Sequence, residues 1–90
     1  PATGKVIKAF TQNDQELKNL ISKKGYIYTA GERLDNIASV AVPIFDNRGN
    51  FTGTLSISGW RQFFTNKSVS KFYKILAGHQ NQMKRLVSND

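Results

Sequence analysis

Residues 37–59 read IASVAVPIFDNRGNFTGTLSISG, and their pattern decides the fold. Ile37 to Phe45 and Phe51 to Ser58 are rich in β-branched and aromatic residues, which suit a pleated, half-buried surface. Between them, Asp46-Asn47-Arg48-Gly49 has the composition of a turn, Asp early and Gly last. The stretch predicts a β-hairpin. Its register follows from alternation, because a slip of one residue sends every side chain to the other face. Pairing Phe45 with Asn50 across a four-residue loop puts Val40, Val42 and Ile44 on one face with Phe51, Leu55 and Ile57. The other face then carries Ser39 and Ala41 against Thr54 and Ser56, with Ser58 further along. A five-residue loop would set Ser39 opposite Ile57 and mix the faces. Pro43 has no amide proton to give a ladder, so its amide side belongs at an edge or an irregularity.

Upstream, Tyr26-Ile27-Tyr28-Thr29 is short and β-prone, and Ala30 to Asn36 reads as a connection. Before it, Leu17, Leu20 and Ile21 recur at helical spacing. Asn13 and Glu16 form a candidate capping box for that helix. Lys23 and Lys24 suit its negative end, and Gly25 its left-handed stop. Thr3 to Phe10 predicts a shorter helix with Thr3 as cap and Val6 and Ala9 or Phe10 facing inward. Downstream, Val69, Phe72, Tyr73, Leu76, Met83 and Val87 trace a helical stripe from about residue 65 to 87. Gly78 weakens that helix by up to ~1 kcal/mol relative to alanine.

Ninety residues set a ceiling of one small domain. The first residue is Pro1, so a piece of a longer protein is expected. With no cysteine, neither a disulfide nor a thiolate metal site is available, which suits a cytoplasmic location. No apolar run nears the ~18–20 residues of a membrane span, and no signal peptide opens the chain. A net charge of +7 raises the prospect of nucleic-acid binding. However, the thirteen basic residues are scattered, with no run longer than a pair, as on solvated helices.

The face bearing Ser39, Thr54, Ser56 and Ser58 has the most chemical interest. Opposed hydroxyls can donate to a carboxylate or carbonyl if something covers them; uncovered, they are the wet face of a half-buried sheet. The helix opening at Ala2-Thr3-Gly4-Lys5 offers unpaired amides that can hold an anion, or is an ordinary helix start. It is not a P-loop, lacking the upstream glycine and a Ser or Thr after the lysine. Glu32, Asp35 and Asp46 read as loop charges, with nothing to make them converge on a metal. His79 is the lone histidine and has no nucleophile to serve. Trp60 and Phe63-Phe64 read as core or interface anchors.

Gly25-Tyr26, Glu32, Ile37 to Asp46, Gly49 and Leu55 to Gly59 together resemble the signature of the C-terminal domain of IclR-type bacterial transcription regulators. The spacing agrees without a gap from Gly25 to Gly59, and Thr3-Gly4-Lys5 resembles the family's helix-opening GK motif. The resemblance implies an α+β, GAF-like domain, with an antiparallel sheet flanked by helices and incomplete on its N-terminal side. Residues 1–90 would be a single effector-binding domain, not an enzyme and without a cofactor. Its partners would be a small organic acid or polar metabolite and further copies of itself, in a dimer or tetramer. DNA binding would belong to an N-terminal winged helix-turn-helix that is not in this sequence. The pocket residues implied are Ala2, Thr3, Thr29, Ser39, Ser56 and Ser58. The sequence departs from the pattern in places. Thr29-Ala30 replaces the acidic residue after GY, and Phe63 replaces an arginine. About twenty residues between the GK helix and the GY strand, and the strands before GK, have no counterpart. The alternatives are a ligand-free interaction module and a basic nucleic-acid-binding domain.

Overall fold

The computed structural model of the chain describes residues 1–32 and 34–88. Helices α1 (Ala2–Thr11) and α2 (Gln15–Lys24) lead into strands β1 (Ile27–Ala30), β2 (Ile37–Phe45) and β3 (Phe51–Trp60). A single 3-10 turn, Arg61–Phe63, precedes the long helix α3 (Asn66–Ser88). The strands form one antiparallel sheet in the order β1-β2-β3. This is the expected α+β architecture of an antiparallel sheet with flanking helices.

Side-chain alternation gives the sheet two different faces. Ile27 and Ala41 face α1 and α2, where Ala2, Val6, Ala9 and Ile21 complete one core cluster. Ala38, Val40 and Val42 face α3, where Phe64, Val69 and Leu76 complete the other. Val6, Val40 and Val42 are fully buried, a contribution of about 1.5–3 kcal/mol each. The α3 stripe is therefore what holds the second layer, with Phe72 and Tyr73 at its margin.

Both helix starts differ from expectation. Thr3 lies inside the first turn of α1, whose cap is Pro1 with no side-chain cap bond. The Pro1 nitrogen, the charged chain terminus, forms an ion pair with Glu32 at 3.3 Å. In α2 the cap is Asp14, whose carboxylate accepts the Leu17 amide at 3.1 Å. Asn13 instead takes a left-handed φ of 52° and turns the chain between the helices, so no capping box forms with Glu16. The α2 stop is as expected. Gly25 has φ 90° and donates its amide to the Ile21 carbonyl. A reciprocal cap that the sequence did not announce opens α3. Thr65 donates its amide to the Ser68 hydroxyl, and Ser68 donates its own amide to the Thr65 hydroxyl.

The hairpin corrects the expected register but keeps its faces. Five residues, not four, separate Phe45 from its partner Phe51. A bulge between Ile44 and Phe45 then shifts the ladder by one more residue. Two single shifts add to two, so the alternation is restored. Ser39 pairs with Ser58, Ala41 with Ser56 and Pro43 with Thr54, while Val40 pairs with Ile57 and Val42 with Leu55. Phe51 lies beyond the bulge and so leaves the face of Leu55. It stacks on Phe10 of α1 at 5.1 Å, and Phe45 meets the same ring edge-on at 5.0 Å. Pro43 lies past the last β1 partner, Ala41, so its missing amide proton costs no ladder bond.

Candidate functional site

The register places three hydroxyls in a row across the sheet: Thr29 on β1 opposite Ser39 on β2, and Ser39 opposite Ser58 on β3. Ser56 lies one step along β3 on the same face, opposite Ala41. Helix α1 crosses this face, so it is neither uniformly wet nor uniformly dry. Ser39 and Thr29 are only 4% and 7% exposed. Ser56 and Ser58 are exposed, and Thr3 is half-buried.

The start of α1 meets the row directly. The Ala2 amide donates to the Ser39 hydroxyl at 3.1 Å, and the Thr29 and Ser39 hydroxyls hydrogen-bond each other at 3.2 Å. Ser39 is thus a cap in all but sequence position, satisfying one of the donors that a helix start leaves without an internal partner. The Thr3 and Gly4 amides belong to the same unpaired first turn. The helix dipole adds partial positive charge there. Lys5 is bound to Glu32, and that hydrogen bond holds the Glu32 carboxyl below the usual carboxylate range. Chemically, the inner part of the row is self-satisfied, while its outer part offers free hydroxyls beside an electropositive helix end. Further along the same face, the Thr54 hydroxyl is buried without a partner.

The other sequence candidates fall elsewhere. Phe64 is buried against α3, whereas Trp60 and Phe63 are 54% and 58% exposed. His79 is exposed and hydrogen-bonds the Gln82 side chain. Asp46 caps its own turn, accepting the Arg48 and Asn50 amides at 2.9 Å each. Among the described residues, no three His, Asp or Glu side chains come together as a metal site. No helix among them is long and apolar enough to cross a membrane. A cavity of about 390 Å³ opens along the outer edge of β1, lined by residues such as Leu20, Lys24, Tyr26, Tyr28 and Phe64. None of the hydroxyl row lines it.

The model of the family described as bacterial transcriptional regulator IclR C-terminal matches residues 3–85. The chain belongs to this family. IclR proteins are transcriptional regulators and not enzymes. Among solved structures, the IclR of Thermotoga maritima is 27% identical, with a TM-score of 0.79 over 93% of this chain and 44% of that one. An IclR-type regulator from Alicyclobacillus acidocaldarius is 26% identical, with a TM-score of 0.67 over 86% and 34%. The C-terminal domain of the E. coli regulator KdgR, 22% identical, shares the fold with a TM-score of 0.69 over 82% and 45%. The present chain therefore spans less than half the length of these relatives. No curated protein sequence matches it significantly.

Proposed function

We propose that this IclR C-terminal domain senses a small organic acid or similar polar metabolite for a cytoplasmic transcription regulator, and that it self-associates. The observation that carries the reading is the meeting of the α1 start with the row Thr29, Ser39 and Ser58. A carboxylate at the outer end of that row would accept from the Ser56 and Ser58 hydroxyls and from the Thr3 and Gly4 amides. Helix amides suit an anion in this way without a formal cation. Ala2, Ser39 and Thr29 form the inner wall of the site, their mutual hydrogen bonds setting the position of the helix end. DNA binding would be the work of a separate domain of the regulator.

Calorimetry with acetate, succinate and benzoate tests the assignment. At least one should bind, and Ser56→Ala/Ser58→Ala should weaken it by about 1–3 kcal/mol if both hydrogen bonds form. An acid that binds the double variant as well as the native chain would place the site elsewhere.

A further inference from the structure

We infer that the solvent face of helix α3 is a phosphate-binding surface for duplex DNA, a second contact beside the separate DNA-reading domain proposed above. The first observation is where the fold puts the charge. The basic residues are scattered along the sequence, but the helical period collects those of α3. Lys67, Lys71, Lys74, Gly78, Asn81 and Arg85 follow one another at steps of four and three. Every one of them is exposed, on the side of α3 opposite Val69 and Leu76, which pack into the core. The row from Lys67 to Arg85 is about 27 Å long at the rise of an α-helix.

The second observation is that nothing offsets this charge. Helix α3 holds five of the thirteen basic residues and none of the six acidic ones. Five of the seven net charges therefore sit on one element. Among the described residues the ion pairs are Pro1–Glu32, Lys5–Glu32 and Lys8–Asp14, and none reaches α3. Lys67 and Lys71 are four apart and Lys71 and Lys74 three apart, so they repel one another and weaken the helix. A bound polyanion would relieve that repulsion.

The third observation names the occupant. A straight row of cations is complementary to repeated negative charge along a line, which a duplex backbone supplies at one charge per about 1.7 Å of axis. Within the row, Gly78 has nothing within 4 Å of where a Cβ would stand, so a phosphate strand can come close to the helix backbone there. The row holds no aromatic residue on which single-stranded bases could stack. It also lacks the buried aromatic or apolar anchor that centres a protein interface. A membrane would take the apolar face of such a helix, and α3 turns that face onto β2. Phosphate contacts position a protein without reading sequence, so base recognition stays with the separate domain. Linked to it, even a weak second contact strengthens binding through its high effective concentration. The inference depends neither on acid binding nor on self-association.

Fluorescence anisotropy of the 90-residue chain with two short duplexes of unrelated sequence tests it. Both should bind at about 50 mM salt, with similar affinity, and the affinity should fall with salt at a log–log slope of about −3 to −4. Lys71→Gln/Lys74→Gln should weaken binding at least about tenfold and reduce the steepness of that slope by about 2. Lys18→Gln/Lys23→Gln removes the same charge from α2 and should leave binding nearly unchanged. On the native chain, which needs no substitution, duplex-induced NMR shifts should concentrate on α3. No binding at low salt, equal losses from the two double variants, or shifts centred away from α3 would each overturn the proposal. Ile75 and Leu86 are exposed to one side of the row, so phosphatidylglycerol vesicles are the contrasting probe. Binding to those vesicles and to neither duplex also overturns it and gives the face to a membrane.

Discussion

Ala2 donates its backbone amide to the hydroxyl of Ser39, 37 residues further along the chain, at 3.1 Å. One side chain in the middle strand thereby ends a helix that has no side-chain cap of its own. Ser39→Ala leaves a buried amide unpaired and deprives Thr29 of its partner. The expected cost is about 1–3 kcal/mol in urea unfolding. Ser56→Ala/Ser58→Ala, on exposed positions of the same face, should stay within about 0.5 kcal/mol. Equal costs for the two would contradict the division of the row into an inner and an outer part.

The α2 cap distinguishes neighbours that the sequence leaves alike. Asp14→Ala removes the acceptor of the Leu17 amide and should cost about 1 kcal/mol. Asn13→Gly should be neutral or slightly favourable, because φ 52° is open to glycine without strain. Thermal unfolding of the two variants checks the order.

Two glycines should respond to alanine with opposite signs. Gly25 has φ 90°, and a Cβ there would run into the Tyr73 ring, so Gly25→Ala should lose about 1–3 kcal/mol. Gly78 lies within α3 with open space around it, so Gly78→Ala should gain up to about 1 kcal/mol. Denaturant midpoints of the pair give the test.

Acid should loosen the hairpin turn late. The Asn50 amide, and after it the Arg48 amide, hold the Asp46 carboxyl below its ordinary 3.8. A carboxyl depressed in the folded state adds stability that is present above its unfolded pKa and lost as pH falls through the folded one. The contribution should thus be flat above about pH 4 and fade below it. An NMR titration should show Asp46 turning over below a model aspartate. A midpoint above 4 would contradict the turn's hydrogen bonds.

The elements themselves were legible in the residues. The Ile37 to Phe45 strand, the Gly25 stop and the inward faces of Val6, Val69 and Leu76 all appear where local pattern places them. The family signature was legible for the same reason, since its motif is carried by contiguous strand and turn residues. Less legible was which acceptor ends each helix. Asn13 and Asp14 are equally good caps on paper, and the φ adopted by Asn13 selects between them. Nothing near Ala2 in sequence announces Ser39.

Alternation alone determined which of residues 39–42 and 54–58 share a face, because the two-residue period survives any even shift of register. Only the folded chain decided the partners within that face. Phe51 leaves its strand pattern to stack on Phe10, and the five-residue turn together with the bulge brings Ser58, not Ser56, opposite Ser39. That choice rests on packing between residues some forty positions apart, an energy that no local stretch of sequence contains.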